Sequence, residues 1–202
     1  AAQAGAGIEE TARTLRYAFL ERTAAKIGAD RIATAHQAGD NAETILLHLI
    51  RGSGLRGLGG IPPVRGPTIR PLLTVERREI EAYLARHNIP HVEDASNEDT
   101  TYRRNYLRRE ILPRLETLNP RLKERLWESA CQFRREDAYL DGQAQTVLDQ
   151  MTRLPEGVAL PCDRVSALPE PLSLRGIQLL ARELDPEIVL SAAHRQAVLD
   201  LC

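Results

Sequence analysis

The sequence predicts an α/β fold in which buried strands lie between amphipathic helices, followed by a long helix and a small, mainly helical domain. Short apolar segments, of which residues 31–36 are the clearest, stand between stretches of helical periodicity, a pattern typical of βα units. Aromatic residues make up 4% of the 202 residues, which is low for an all-β sandwich or for an aromatic-rich RNA-binding sheet. Composition therefore favours helices.

The overall composition is that of a globular protein with no strong charge bias. Hydrophobic residues make up 43% of the chain, charged residues 27%, and the formal net charge is −1, so the whole-chain charge gives no sign of nucleic-acid binding. Between residues 102 and 125, however, seven arginines face three glutamates. A local field of this kind matters more for binding than the total charge.

The cysteines and the hydropathy pattern exclude several protein classes. Cys131, Cys162 and Cys202 are scattered without Cys-x-x-Cys spacing, so the sequence indicates neither a disulfide framework nor a zinc or iron–sulfur site. A reducing cytoplasm is the expected setting. The longest apolar run is broken at His48, and we expect neither a membrane span nor a signal peptide.

The first elements follow from apolar spacing and glycine signals. Apolar residues at helical spacing predict a helix over residues 8–29. The short apolar segment 31–36 predicts a buried strand with His36 at its carboxyl end. A second helix is predicted for residues 40–50, stopped by glycines that can adopt the left-handed conformation.

A proline- and glycine-rich region comes next. The run up to Gly60 predicts a loop that Pro62, Pro63 and Pro67 keep open, and residues 69–73 predict at best a short extended piece. Thr74 is expected to cap a helix that ends near His87. Beyond it, the sequence predicts a short strand at 91–94, a polar turn at 95–100 and two helical pieces split near Pro113.

The last part of the chain predicts a long helix and a small helical body. A helical pattern with a proline at its first position runs over residues 119–154, about 50 Å of helix if continuous, and is expected to link two bodies. A strand at 158–160 and helices at 172–184 and from residue 191 follow. The predicted domains are therefore residues 1–118, a linker helix 119–154, and residues 155–202.

Asp40 and Glu43 are the clearest candidates for chemistry on spacing. Three residues apart at a predicted helix start, they share a face and point past the end of the strand that carries His36. The same spacing is also a capping arrangement that stabilises a helix start. The residues alone leave both interpretations open.

Several motifs together resemble the tRNA(Ile)-lysidine synthetase family of the N-type ATP pyrophosphatase superfamily. The segment Ala-Thr-Ala-His-Gln-Ala-Gly-Asp-Asn-Ala-Glu-Thr at residues 33–44 carries the resemblance, which covers roughly residues 8–120. In order and spacing it continues through Glu-Glu-x-Ala-Arg-x-x-Arg-Tyr at 9–17, Arg-Gly-Ser-Gly-Leu at 51–55, Arg-Pro-Leu-Leu at 70–73, Arg-Glu-Ile at 78–80, Glu-Asp-Ala-Ser-Asn at 93–97, and Tyr-x-Arg-Asn-x-Leu-Arg with Ile-Leu-Pro within 102–113.

The resemblance implies a fold and a reaction. The fold is the distal part of a doubly wound parallel-sheet nucleotide-binding domain of the adenine nucleotide alpha hydrolase type. The reaction uses ATP and Mg²⁺ to adenylylate the wobble cytidine of a tRNA(Ile) with a CAU anticodon, after which free lysine displaces AMP to form lysidine. The implied partners are tRNA(Ile) and lysine, and a homodimer is compatible with the family.

The resemblance also implies residue roles, each of which has a simpler structural alternative. It implies catalytic roles for His36, Asp40 and Glu43, and contact of Arg16 and His36 with nucleotide phosphate. A substrate loop would consist of Arg51, Gly52, Ser53, Gly54, Asp94 and Asn97, although residues 51–54 are equally a helix C-cap. Arg104, Asn105 and Arg108 would bind tRNA. Acidic residues are few near these arginines in the sequence, which favours RNA phosphate over a merely solvated face.

Two departures from the family pattern stand out. Gln37 and Gly39 occupy positions where the family usually has a second histidine and a second acid. The Ser-Gly-Gly-x-Asp-Ser loop that holds the ATP pyrophosphate, expected upstream of Ile8, does not occur in the printed residues. A backbone nest of that kind is the usual phosphate-binding device. We therefore expect these 202 residues alone to bind ATP weakly and to form no lysidine.

Two other functions compete with this interpretation. A tRNA thiolase of the same superfamily would need catalytic or cluster-binding cysteines, and the three cysteines lie far from the predicted site in the sequence. A non-catalytic helical RNA-binding or scaffold protein would bind RNA without turnover. Stoichiometric RNA binding without turnover would identify the second alternative.

Overall fold

The computed structural model describes residues 2–92, 103–149, 151–155, 157–185 and 188–202. Two compact units make up the chain, residues 1–131 and residues 132–202. The α/β expectation is confirmed, although the strands are short. The first unit contains helices α1 (Ala2–Ile27), α2 (Ala38–Ile50), α3 (Leu55–Leu58), α4 (Arg77–Arg86), α5 (Arg103–Tyr106) and α6 (Leu112–Leu118), with strands β1 (Ile32–Ala33), β2 (Val64–Arg65) and β3 (Thr68–Ile69).

The sheet of the first unit has the order β1-β3-β2. β1 pairs with β3 in parallel, with Ile32 opposite Thr68, and β2 pairs with β3 in antiparallel fashion. The expectation that prolines keep this region open is wrong for β2. The prolines contribute carbonyl groups rather than N–H groups: Pro67 O accepts a hydrogen bond from Ile32 N at 3.0 Å, and Pro63 O accepts one from Arg70 N at 2.9 Å.

Both helices that flank β1 are confirmed. α1 begins earlier than predicted, and α2 spans Ala38–Ile50 and ends at a left-handed Gly52 with φ of +70°. Buried Ala42 and Ile45 of α2 share the core of this unit with Ile32 and Leu73. This packing fixes the start of α2 beside the end of β1.

Two local expectations in the following region are wrong. The glycine-rich loop contains the four-residue helix α3, and α4 begins after Glu76 rather than Thr74. Glu76 N donates to Glu79 Oε2 at 2.9 Å, so the carboxylate three residues ahead satisfies the first backbone donor of the helix. Residues 91 and 92 do not form the strand predicted for residues 91–94. Residues 93 and 94 lie outside the described part of the chain.

Residues 103–118 form a continuous helical stretch, so the predicted split near Pro113 is wrong. A π-helical turn at Leu107–Ile111 joins α5 to α6. Pro113 lies in the first turn of α6, directly after the wider π-helical turn. At that position the missing N–H of proline destabilises the helix least. Leu107 and Leu112 are buried and anchor the stretch to the core.

The long helix is confirmed with shorter ends than predicted. α7 spans Leu122–Leu148, about 40 Å at 1.5 Å per residue, and Asn119 Oδ1 accepts a hydrogen bond from Arg121 N just before it begins. None of the described helices is long and apolar enough to cross a membrane.

The second unit contains a hairpin and three helices after α7. The strands are β4 (Thr152–Leu154) and β5 (Gly157–Ala159), and the helices are α8 (Cys162–Ser166), α9 (Glu170–Leu184) and α10 (Ala192–Leu199). The predicted strand near 158 and both predicted helices are confirmed, whereas β4 and α8 were not anticipated. Ser191 caps α10 by accepting a hydrogen bond from His194 N.

Candidate functional site

A cavity of about 350 Å³ lies between α1, the segment after β1 and the start of α2. Ligands of parallel α/β proteins bind at the carboxyl ends of the strands, and this cavity occupies that position. Three residues predicted from the sequence, Arg16, His36 and Asp40, contribute to its wall. The full lining is Arg13, Arg16, Tyr17, Leu20, Thr34, Ala35, His36 and Asp40.

The end of β1 fixes His36 in the cavity wall. Thr34 N donates to Ile69 O at 3.0 Å, which extends the parallel pairing by one residue, and Thr34 Oγ1 lies 3.0 Å from His36 Nδ1. Burial lowers the pKa of His36 below the ordinary histidine value, Asp40 opposes this, and the positive charges of nearby arginines add to it. His36 is therefore a neutral hydrogen-bonding group at neutral pH rather than a cation.

Asp40 both caps α2 and lies in the cavity wall. Its Oδ2 accepts a hydrogen bond from Gln37 N at 2.9 Å and so caps α2. Its Oδ1 accepts a hydrogen bond from Arg108 Nη2 at 3.0 Å, while the residue remains part of the cavity wall. A carboxylate held at two points presents a fixed negative charge to the cavity.

Glu43 does not point into the cavity, contrary to the prediction that it shares that direction with Asp40. Its side chain is fully buried, and its carboxylate accepts hydrogen bonds from Arg108 Nε at 2.6 Å and Arg104 Nε at 3.2 Å. Burial raises the pKa of Glu43 above its ordinary value, and the two guanidinium groups oppose that shift. Glu43 therefore joins α2 to the 103–118 helical stretch.

Arg104 and Arg108 form internal ion pairs, contrary to the expectation of few acidic partners. Arg108 binds both Asp40 and Glu43, and Arg104 also donates to Thr44 Oγ1 at 3.0 Å. Their side chains retain 38% and 30% exposure. The acidic partners were missed because they lie some sixty residues earlier in the chain. Asn105 lies between the two arginines on α5.

Residues 51–54 lie at the opposite end of α2 from Asp40. Eleven residues of helix separate Arg51 from Asp40, about 16 Å at the α-helical rise, and the backbone conformation of Arg51 and Gly52 is that of a helix C-cap. The C-cap interpretation therefore describes this segment. Asp94, Ser96 and Asn97 lie outside the described residues.

The glycine-rich loop runs back along α2 and is tied to it at two points. His48 Nδ1 lies 2.6 Å from Gly57 O near the end of α2. Buried Asn41 accepts a hydrogen bond from Ile61 N at 2.8 Å near the start of the helix. Gly60, at φ of +63°, makes the close approach that this second contact requires.

Replacing Gly60 with alanine should lower the free energy of unfolding by about 3 kcal/mol, because alanine disfavours the left-handed backbone and its Cβ would overlap neighbouring side chains. An added Cβ would lie 2.5 Å from Asn41 Oδ1 and 2.9 Å from Ile45 Cγ1. Gly28→Ala is the matched control, because Gly28 has φ of +69° and no atom within 4 Å of the added Cβ. The Gly28→Ala substitution should lower the free energy of unfolding by about 1 kcal/mol. Equal losses in urea unfolding would contradict the contact with Asn41.

The sequence analysis missed four polar residues at or beside this cavity: Arg13, Tyr17, Thr34 and Arg70. A signal existed for two of them, because Arg13, Arg16, Tyr17 and Leu20 follow the spacing of one helical face. No group of three or more metal-ligating side chains occurs in the described parts of the chain. The polar side chains in the cavity lining are those of Arg13, Arg16, Tyr17, Thr34, His36 and Asp40.

Comparisons with known proteins identify a family model and several relatives that match this chain. A family model described as a PP-loop domain matches residues 1–115. A tRNA(Ile)-lysidine synthase of Thermosipho africanus is 47% identical over 128 residues, covering 60% of this chain and 30% of that protein. One of Thermotoga maritima is 45% identical over 123 residues, covering 61% and 30%. One of Geobacillus kaustophilus is 37% identical over 206 positions, covering 98% and 44%. The chain thus spans less than half the length of these relatives.

Proposed function

We propose, because the chain belongs to the PP-loop domain family, that it is part of a tRNA(Ile)-lysidine synthase, an ATP-dependent carbon–nitrogen ligase. The observation that carries the proposal is the cavity at the carboxyl ends of β1 and β3, where Arg16, His36 and Asp40 meet. The similarity to curated lysidine synthases supports the same conclusion. The proposed substrates are ATP, free lysine and a tRNA(Ile) with a CAU anticodon.

The proposed reaction has two steps. Adenylylation of the C2 carbonyl oxygen of the wobble cytidine releases pyrophosphate and turns a poor leaving group into AMP. The ε-amine of lysine then attacks C2, loses a proton and displaces AMP. In this proposal Arg16 and Arg13 stabilise phosphate charge from one side of the cavity, and neutral His36 donates a hydrogen bond or accepts a proton.

Mg²⁺ belongs to the proposal as an ion that enters with the nucleotide. It is usually bound by one or two carboxylates together with substrate phosphates rather than by a complete protein cage. In the part of the chain that the structure describes, Asp40 is the carboxylate of the cavity lining, and Glu43 is engaged by two arginines. The side chains present therefore fit a nucleotide-bound ion that Asp40 contacts.

The larger arrangement is also part of this proposal. The sheet would belong to a doubly wound parallel sheet of the adenine nucleotide alpha hydrolase type, with α7 as a linker to a small helical domain. A cytoplasmic location and a homodimer are further expectations of the same proposal, and so is a contribution of residues 51–54, Asp94 and Asn97 to the substrate loop.

The direct test is incorporation of radiolabelled lysine into tRNA by the full-length protein. We expect ATP-dependent incorporation into a tRNA(Ile) transcript with a CAU anticodon and none when uridine replaces the wobble cytidine. Binding of both transcripts without incorporation would favour a non-catalytic RNA-binding protein. Transfer of sulfur instead of lysine would identify a thiolase, which the lining of the cavity does not favour because it contains no cysteine.

The proposed contact of Arg104, Asn105 and Arg108 with tRNA predicts a difference between the two arginines. Arg108 directs its Nε and Nη2 donors to carboxylates, whereas Arg104 is more exposed and places one donor on a hydroxyl. In the full-length protein Arg104→Ala should make the plot of log affinity for tRNA against log salt shallower by about one unit. Arg108→Ala should mainly lower the melting temperature. Unchanged slopes in both variants would contradict the phosphate contact.

A further inference from the structure

Arg70 is a buried arginine at the carboxyl edge of the parallel strand pair. It directly follows β3, and its side chain and backbone are only 5% exposed. In the parallel register Ile69 lies beside Ala33, so Arg70 is the neighbour across the sheet of Thr34, which lines the cavity. This edge is where parallel α/β proteins place their ligands.

The contacts of Arg70 do not balance its charge. Its Nη1 donates to Pro62 O at 2.7 Å, and its Nη2 lies 3.5 Å from Tyr17 Oη, a weak contact with a residue of the cavity wall. Both partners are neutral. Within the residues that the structure describes, buried Nε has no hydrogen-bond partner. Among the residues that the structure describes, Arg70 therefore has no carboxylate partner that would offset the cost of burying its guanidinium.

The surroundings of Arg70 favour an anion. Arg13 and Arg16 line the cavity, and the guanidinium of Arg13 lies 5.6 Å from the centre of the Tyr17 ring. Among the described residues of the lining, Asp40 is the carboxylate, and it already accepts hydrogen bonds from Arg108 and Gln37 N. Arg70 is not itself in the lining, and its geometric link to the cavity wall is the contact with Tyr17 Oη. Its positive charge is also one of those that lower the pKa of His36.

We propose that Arg70 is the buried cation of an oxyanion subsite at the carboxyl ends of β1 and β3. The oxyanion belongs to a phosphate of the nucleotide or to the α-carboxylate of free lysine, and this choice of ligands rests on the proposed function. A bound oxyanion would supply the charge that the fold itself leaves unbalanced. The role of Arg70 would then be to bind the oxyanion and not to stabilise the fold.

The test compares Arg70→Met with the wild-type full-length protein by calorimetric titration and thermal melting, without tRNA. The probes are inorganic pyrophosphate, L-lysine, and cadaverine, which has the amines of lysine but no carboxylate. We expect a loss of at least about 30-fold in affinity for pyrophosphate or for L-lysine. Cadaverine should bind both proteins equally, and the melting temperature should stay within about 3 °C of wild type.

The matched control is Arg77→Met, because Arg77 is an exposed arginine paired with Glu81 and should leave all affinities unchanged. Arg70→Lys keeps the charge and should bind the affected probe more tightly than Arg70→Met does. Loss for pyrophosphate identifies a phosphate subsite, and loss for L-lysine alone identifies a carboxylate subsite. Unchanged affinity for both probes, or a large drop in melting temperature in both Arg70 variants, would overturn the proposal.

These titrations remain informative whatever the lysidine assay shows. Loss of pyrophosphate binding in Arg70→Met without any lysidine formation by the wild type would retain the subsite and reject the proposed function. Lysidine formation by the wild type, together with unaltered probe binding in Arg70→Met, would support the proposed function and reject the subsite. In the folded Arg70→Met protein, nuclear magnetic resonance titration should also give a higher pKa for His36 than in the wild type, since one depressing charge is removed.

Discussion

Glu43→Gln is expected to lower the free energy of unfolding by about 3 kcal/mol, the cost of removing one member of a buried ion pair. The carboxylate is fully buried and accepts hydrogen bonds from Arg108 and Arg104. A neutral amide of the same shape would leave two guanidinium groups without their shared anion. Removing one member of a buried ion pair lowers the free energy of unfolding by a range of values, and the lower end applies here because both arginines remain partly exposed.

Urea unfolding of Glu43→Gln, Arg108→Met, their double variant and Glu81→Gln would test this expectation. Glu81→Gln is the surface control, since Glu81 pairs with Arg77 at about half exposure on each side and should cost less than about 1 kcal/mol. The double variant Glu43→Gln with Arg108→Met should lose less than the sum of the single losses. Additive losses, or a cost for Glu43→Gln as small as that of Glu81→Gln, would contradict the ion-pair role.

The sequence predicts those parts of the fold that depend on local patterns. Apolar spacing identified α1, α2, α9 and the body of α7, and the glycine after Ile50 marked the end of α2. His36 was expected at the carboxyl end of a strand over residues 31–36, and it lies three residues beyond the shorter strand β1. In each case the decisive interaction lies within about four residues in the chain, which is the reach of helix and turn signals.

The parts that the sequence did not predict depend on contacts between distant residues. The partners of Glu43 are 61 and 65 residues away, so spacing gave no reason to separate Glu43 from Asp40. β2 was missed because prolines weaken a strand signal, although their carbonyls still accept hydrogen bonds in the hairpin. Arg70 was noted only as part of the Arg-Pro-Leu-Leu motif, and its burial depends on packing that includes Tyr17, 53 residues earlier. Local sequence cannot report any of these features.

We therefore expect substitutions at Asp40 and at Glu43 to have different effects, although their spacing in the sequence suggests a pair. Asp40 lines the cavity and is partly exposed, whereas Glu43 is enclosed beneath two arginines. Loss of activity in a Glu43 variant would accompany loss of stability and would not identify a group that touches substrate. A substitution at Asp40 can separate capping from chemistry.

Asp40→Asn in the full-length protein should slow lysidine formation on the order of 10²-fold, the usual contribution of a positioned charged group, while costing no more than about 1 kcal/mol of stability. The amide retains an oxygen that can accept the hydrogen bond from Gln37 N, but it loses the negative charge that faces the cavity. Lysine incorporation into tRNA and thermal melting measure the two effects separately.

Glu79→Gln is the matched control, because Glu79 accepts a hydrogen bond from Glu76 N three residues earlier, the same arrangement that Asp40 makes with Gln37 N at the start of α2. Glu79 lies on α4, away from the lining of the cavity, so its replacement measures only the cost of turning a capping carboxylate into an amide. We expect similar melting temperatures for the two variants and slow lysidine formation only for Asp40→Asn. Normal turnover in both would mean that Asp40 serves α2 as a cap, and the carboxylate contact with the nucleotide-bound ion would then be wrong.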